Sequence, residues 1–247
     1  MKKLLKFTGF FLLFFAFQYV SAAPQQIYSP LHDPHIQSGE NLSYLVVNKK
    51  GSVTIKETVE LDKSGRKYLI RVTTPLIYRE LALLRETMTP VELTIVTKND
   101  NYLLTTRKSI KYSGKNQNTS KTGKLALLSA SDMPYALRGF PFENPVPIEI
   151  IFINDQETGN SDAPFKVTAE AAGEESLSIA DRSIPCYIIE IKYHISGFMS
   201  LFKSMFPKTR LWYSKASPHY LVKYENKGGQ GSTGNMVMTI ADYSGWN

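Results

Sequence analysis

The 247-residue chain carries four histidines and one cysteine, so any metal or nucleophilic site must be built from few groups. The tightest histidine pair is His32-Asp33-Pro34-His35. Two imidazoles at this spacing can share an ion, but a protein zinc site takes three or four converging ligands and no further ligand cluster stands nearby. Pro34 also restricts the residue before it to extended geometry. The segment reads as a solvated turn, and neither a metal nor a cofactor is expected. A hydrolytic serine needs a base and an orienting acid, and no serine here sits in a nucleophile elbow. A motif-free hydrolase would require His194 or His219 to meet a serine and a carboxylate in one cleft. Gly231-Ser232-Thr233-Gly234 looks like a phosphate loop, yet such a loop must open a helix, and this one joins two strand-like runs. Glu174-Glu175 reads as a solvated pair in a turn. Cys186 alternates with apolar residues in SIPCYIIEIKY (183–193), which makes it a buried packing residue with no partner for an internal disulfide.

The segment 194–208, HISGFMSLFKSMFPK, is chemically inert but exceptional. Phe198, Met199, Phe202, Met205 and Phe206 fall on one face of a helix that Pro207 ends. Gly197 loosens its entry. A short apolar helix of this kind plugs a barrel mouth or covers a ligand cavity, since methionine suits adaptable apolar surfaces. The candidate ligand-binding residues are these five together with Trp212. Lys203, Lys208 and Arg210 surround the helix and are the candidate contacts for an anionic head group.

A second basic run spans Arg107, Lys108, Lys111, Lys115, Lys121 and Lys124, with no acid between Asp100 and Asp132. Lysines on strand edges also discourage edge-to-edge pairing. The first residues explain part of the formal charge of +7. Lys2, Lys3 and Lys6 precede an apolar run from Phe7 to Val20, and Ser21, Ala22 and Ala23 follow, the pattern of a secretory signal cleaved after about Ala22. Removing residues 1–22 takes three lysines and no acid, which lowers the net charge to +4. That balance, with export, disfavours nucleic acid as a partner. No later segment is apolar for long enough to anchor the cleaved chain in a membrane.

From Asn41 onward the sequence is a series of short alternating runs separated by turn residues. Val53, Ile55, Val59 and Leu61 alternate with polar residues, and VELTIVTK (91–98) and NYLLTTRKSIKY (101–112) flank a tight turn at Asn99-Asp100. SGKNQNTSKTGK (113–124) is a surface loop. KLALLSASDMPYALRGFP (124–141) mixes helical and irregular signals, with Asp132 placed as an N-cap and Pro141 as a limit. HYLVKYENK (219–227) and NMVMTIADY (235–243) form a final hairpin. These patterns predict an all-β, mainly antiparallel fold, a strongly curved sheet forming a half-barrel or barrel, with one or two short helices. The expected division is a signal peptide over 1–22, an N-terminal arm over 23–37 and one β-rich domain over 38–247.

SGENLSYLV (38–46), ETMTPVEL (86–93) and TRLWYSKASPHYLVKYE (209–225) resemble an uncharacterised family of exported bacterial β-rich proteins, the domain of unknown function 3108. The resemblance covers most of residues 38–243. It implies a secreted or periplasmic protein with a strongly curved antiparallel sheet, similar in outline to the carriers that move lipoproteins across the periplasm. It supplies no catalytic residues. The expected function is a periplasmic, non-catalytic carrier of a lipid or other amphiphile, with residues 195–206 as its lid. A cell-envelope scaffold docking a protein partner is the alternative, and the motif-free hydrolase the second.

Overall fold

The computed structural model describes residues 30–99, 104–111, 125–129, 132–153, 165–194, 208–227 and 235–246. Residues 1–22, 113–124, 195–206 and 228–234, expected from sequence to be an export signal, a loop, an apolar helix and a hairpin loop, lie outside the described residues. The strands are β1 (Glu40–Asn48), β2 (Gly51–Leu61), β3 (Lys67–Thr73), β4 (Ile77–Leu84), β5 (Pro90–Lys98), β6 (Leu104–Lys111), β7 (Leu125–Ser129), β8 (Ile148–Ile153), β9 (Phe165–Ile179), β10 (Arg182–Tyr193), β11 (Lys208–Ser214), β12 (Leu221–Lys227) and β13 (Met236–Tyr243). One short helix, α1 (Met133–Ala136), continues as a 3-10 turn over Leu137–Gly139.

All these strands join one sheet in the order β6-β5-β4-β3-β2-β1-β13-β12-β11-β10-β9-β8-β7. Each neighbour pair is antiparallel except β7 with β8, which run parallel. The chain therefore winds outward from β1 to β6, crosses to the far edge, and winds back until β13 closes on β1. The sheet is curved and open, a half-barrel, as the alternating pattern predicts. Register shifts interrupt the β1–β13, β9–β10, β11–β12, β4–β5 and β5–β6 ladders. Each extra residue bends its strand and increases the local twist. The edge strand β6 carries Arg107, Lys108 and Lys111, charges that oppose pairing with a second chain.

β9 differs from expectation. PFKVTAEAAG and SLSIAD read as two strands, with Glu174-Glu175 turning between them, but β9 is one strand of 15 residues. Gly173 adopts a positive φ of 124° where the register against β10 shifts, so the weak β-formers around it make a bulge and not a turn. The two carboxylates stay in the strand, Glu174 bound by Lys215 and Glu175 by the Trp212 indole N–H at 2.9 Å.

Alternation assigns the two faces. In β1, Glu40, Leu42, Tyr44 and Val46 are buried while Asn41, Leu45 and Val47 are exposed. The buried set faces α1, and we call that face inner. Its core includes Val59, Tyr68, Ile70, Leu81, Leu83, Leu93, Ile189, Leu211 and Tyr213 from the strands, with Leu31, Met88, Leu137 and Phe140 packed over them. Asp132 precedes α1 as expected, but its carboxylate accepts from the Ser129 backbone N–H at 3.2 Å and makes no cap bond to the helix.

Candidate functional site

The inner face has two differently built ends. At the end formed by Glu40, Leu61, Leu84 and the turn after Ser214, a cluster of charged groups is sealed from water. Arg138 binds Glu40 through two bonds, Nη1 at 2.6 Å and Nη2 at 3.0 Å, and both side chains are 2% exposed. The guanidinium also donates to the Pro218 carbonyl, Nε at 3.3 Å and Nη2 at 3.2 Å. Such a bidentate pair satisfies donors that burial would otherwise leave costly. A second carboxylate, Glu57, lies in the same buried cluster. Burial pushes its pKa up to about 8; attraction to Arg138 and a hydrogen bond from Tyr135 oppose that rise, while repulsion by Glu40 adds to it. The same guanidinium thus lies near two carboxyls, paired directly with Glu40 and attracting Glu57. Burial also raises the Tyr44 and Tyr135 phenols.

The N-terminal arm is tied down above this cluster. Asp33 accepts from the Tyr68 hydroxyl at 2.5 Å, from Arg85 Nε at 2.7 Å and from the His35 backbone N–H at 2.8 Å. Burial pulls the Asp33 pKa upward, but these bonds outweigh it and hold the carboxyl below its ordinary value. The His32 N–H donates to the Gly139 carbonyl at 2.9 Å. Gly139 is required there because a Cβ would stand 2.2 Å from the His32 carbonyl oxygen.

Between the arm, the 139–146 segment and the β11–β12 turn opens a cleft of about 680 Å3 that touches His32, His35 and His219. The His219 ring packs 4.8 Å from Phe142, which stacks 4.8 Å from Tyr187. His219 Nδ1 donates to the Ser214 carbonyl at 2.9 Å, and the Ser217 hydroxyl donates to the Pro34 carbonyl at 3.4 Å. Base and hydroxyl are therefore each bound to backbone and not to one another. His194 sits past the far end of β10, where its Nε2 meets Thr168 Oγ1 at 2.5 Å. The register pairs Ser214 with Cys186, eight residues earlier on β10, so His194 and His219 stand about 26 Å apart along the strands. His219 and Ser217 do share the cleft with Asp33 and Glu143, but the hydrogen bonds of imidazole and hydroxyl go to backbone and not to each other. Cys186 is buried, and burial pushes its thiol up to about 12, far from a reactive thiolate. Among the described residues no cluster of His, Cys, Asp and Glu is able to hold a metal ion.

The other end of the inner face is open. Here Val53 and Ile55 of β2, Val72 of β3, and Leu76, Ile77 and Arg79 at the β3–β4 turn and on β4 line an apolar groove of about 370 Å3. The Arg79 Nε is buried with no hydrogen-bond partner among the described residues. The chain leaves β10 at His194 and re-enters β11 at Lys208 at this same end, as the pairing of Asn48 with Met236 and of Asn226 with Thr209 shows.

Of the residues singled out from sequence, Phe198, Met199, Phe202, Lys203, Met205 and Phe206 lie outside the described residues. Trp212 is buried, but on the outer face: it alternates with Leu211 and with Tyr213, whose hydroxyl reaches the Pro134 carbonyl on α1 at 2.8 Å. Lys223 stands 4.5 Å over the Trp212 ring. Lys208 is exposed at the start of β11, and Arg210 is paired with Glu190 at 3.0 Å on the outer face. The sequence reading missed Glu40, Glu57, Arg79 and Arg138. For the first three a signal existed, because each falls in phase with buried apolar neighbours: Glu40 with Leu42, Glu57 with Val59, Arg79 with Leu81.

No family model and no curated protein matches the chain. Solved structures share its outline. The Pseudomonas aeruginosa MucA/MucB complex matches at 9% identity and a TM-score of 0.37, over 87% of this chain and 54% of that one, so the chain spans about half the MucB length. A β-barrel-like protein of the domain of unknown function DUF1849 from Brucella abortus matches at 7% identity and a TM-score of 0.39, over 83% and 97%. The hypothetical lipoprotein YmcC from Escherichia coli matches at 12% identity and a TM-score of 0.34, over 85% and 91%. Likeness at these scores carries no inference about ligand or partner.

Proposed function

We propose that the protein is an exported, periplasmic, non-catalytic carrier that holds an apolar or amphiphilic ligand at the open end of its inner face. The observation that supports this most is the apolar groove around Val53, Ile55, Val72 and Ile77, a strip of core-facing sheet that α1 and the arm do not fill. Its volume falls at the lower end of the range of about 300–1,000 Å3 usual for small-molecule pockets. Residues 195–206 are the proposed cover, since the described chain departs from β10 and returns on β11 at the same end of the sheet as the groove. Export rests on the signal pattern of residues 1–22, in keeping with the family that the sequence resembles. The test is to purify the protein from a periplasmic extract, analyse it for bound lipid and titrate it with a fluorescent fatty-acyl probe. Co-purified lipid, or a probe displaced by unlabelled amphiphile, is expected. A lipid-free protein that leaves the probe dark would sink the reading.

One observation favours a second reading, an envelope interaction module. Leu45 and Val47 on the outer face of β1 are 43% and 47% exposed. Crosslinking in intact cells from a photoreactive residue at position 45 would trap a defined envelope protein if this strip docks a partner. Recovery of monomer alone would rule it out.

A further inference from the structure

Two arginines on neighbouring strands are provided for in opposite ways. Arg71 on the outer face of β3 is bound by Glu60 at 2.7 Å and Glu80 at 2.8 Å, and Glu80 also accepts from the Tyr78 hydroxyl at 3.0 Å. Arg79, on the inner face of β4, has its Nε shut off from water with no hydrogen-bond partner among the described residues, and its charge reaches the buried Tyr135 phenol. Its backbone lies between Val72 of β3 and Ile95 of β5. The inner-face carboxylate in the same row is Glu57, opposite Val72 on β2 and thus about 10 Å across two strand spacings. Glu57 is occupied by Arg138 and Tyr135 and is neutral near pH 7. Lys108, opposite Ile95 on β6, shares this face and adds positive charge on the far side.

A buried guanidinium donor without an acceptor costs free energy that a native fold rarely leaves unrecovered. Here it borders an apolar groove open to solvent, so an incoming ligand can supply the acceptor. The planar fork of arginine matches a carboxylate in two parallel bonds. The groove is a single strip with room for one acyl chain. We infer that it takes a single-chain fatty carboxylate, the tail along Val53, Ile55, Val72 and Ile77 and the head on Arg79. This rests on the carrier reading and specifies its ligand class.

The test compares four twelve-carbon probes on the full-length mature protein by calorimetry: dodecanoate, dodecanol, dodecyl phosphate and dodecyltrimethylammonium. The wild type should bind dodecanoate at least about tenfold more tightly than dodecanol, the gain expected from one charge-assisted hydrogen bond in a dry site. Dodecyltrimethylammonium should bind more weakly than the alcohol. Arg79→Gln should erase the carboxylate preference while holding dodecanol within about twofold, and Arg79→Lys, a charge without the fork, should keep part of it. Should Arg79→Gln fail to fold, the ratio in Arg79→Lys decides, because an undiminished preference there would place the head elsewhere. Equal binding of acid and alcohol by the wild type overturns the assignment of Arg79 and leaves the carrier reading intact. Tighter binding of dodecyl phosphate than of dodecanoate overturns the carboxylate head. Binding of none of the four removes the carrier reading together with this one.

Discussion

The two ends of the inner face meet the same problem, a charged side chain placed among apolar strands, and treat it differently. At the closed end Arg138 is covered by the arm and held by Glu40 and the Pro218 carbonyl, so each guanidinium nitrogen has an acceptor. At the open end Arg79 borders a groove with its Nε unmet among the described residues. A satisfied buried pair fixes the orientation of the elements that contribute it, here β1, the turn after α1 and the β11–β12 turn. On the proposed function, an unsatisfied one is where a ligand's acceptor would sit. If the proposed function holds, the contrast separates a region organised for stability from one organised for binding, and substitutions at the two ends should divide accordingly.

The largest effect is expected at Arg138. Arg138→Ala strands the buried Glu40 carboxylate and the Pro218 carbonyl, and removal of one partner of a buried pair costs about 3–5 kcal/mol. Urea unfolding should show the loss, with binding at the open end retained under conditions where the protein is folded. A midpoint unchanged from wild type would mean that the pair is hydrated in solution and that the ends do not differ in this way.

An effect of similar size, but dependent on pH, distinguishes the two carboxylates of the closed end. The folded pKa of Glu57, about 8, lies above its ordinary 4.5 because the buried site disfavours the charged form. The folded protein therefore holds more protons than the unfolded chain between these values. The stability that this group contributes is full below about pH 4.5 and is lost as the pH rises through about 8, at a limiting slope of about 1.4 kcal/mol per pH unit. Glu57→Gln should remove that slope, so the variant gains on the wild type from pH 5 to pH 9. Parallel profiles for the two proteins would show that Glu57 is ionised in the fold.

Local alternation made the strands legible. Val53, Ile55 and Val59 announce β2, and the polar turn after Leu61 announces its end. Pairing between β1 and β13 was not legible, because it joins residues about 200 positions apart and depends on the whole sheet closing up. The four-residue α1 is too short to show a period, yet it sets the inner face by packing. A buried charge reads like a surface charge unless its phase is compared with its neighbours, which is why Glu40, Glu57 and Arg79 were passed over. Arg138 has no such phase signal, lying in a single 3-10 turn. The apolar stripe at 198–206 was legible by composition alone and lies outside the described residues.

The smallest effect on stability belongs to the open end. Leu76 lines the groove at the β3–β4 turn and is 37% exposed, so Leu76→Ser uncovers little that the fold had buried. Its cost should stay within about 0.5 kcal/mol, as for surface substitutions generally. An acyl chain lying in the groove would lose the contact of that side chain, and burial of a leucine is worth about 1.5–3 kcal/mol when complete. Partial burial by a ligand predicts a three- to tenfold weaker affinity for a fatty-acyl probe, about 0.7–1.4 kcal/mol. Denaturation and probe titration on the same sample make the comparison. A variant that loses stability without losing affinity would place Leu76 in the core and the ligand elsewhere. One that loses affinity alone would mark the open end as the surface that the ligand touches.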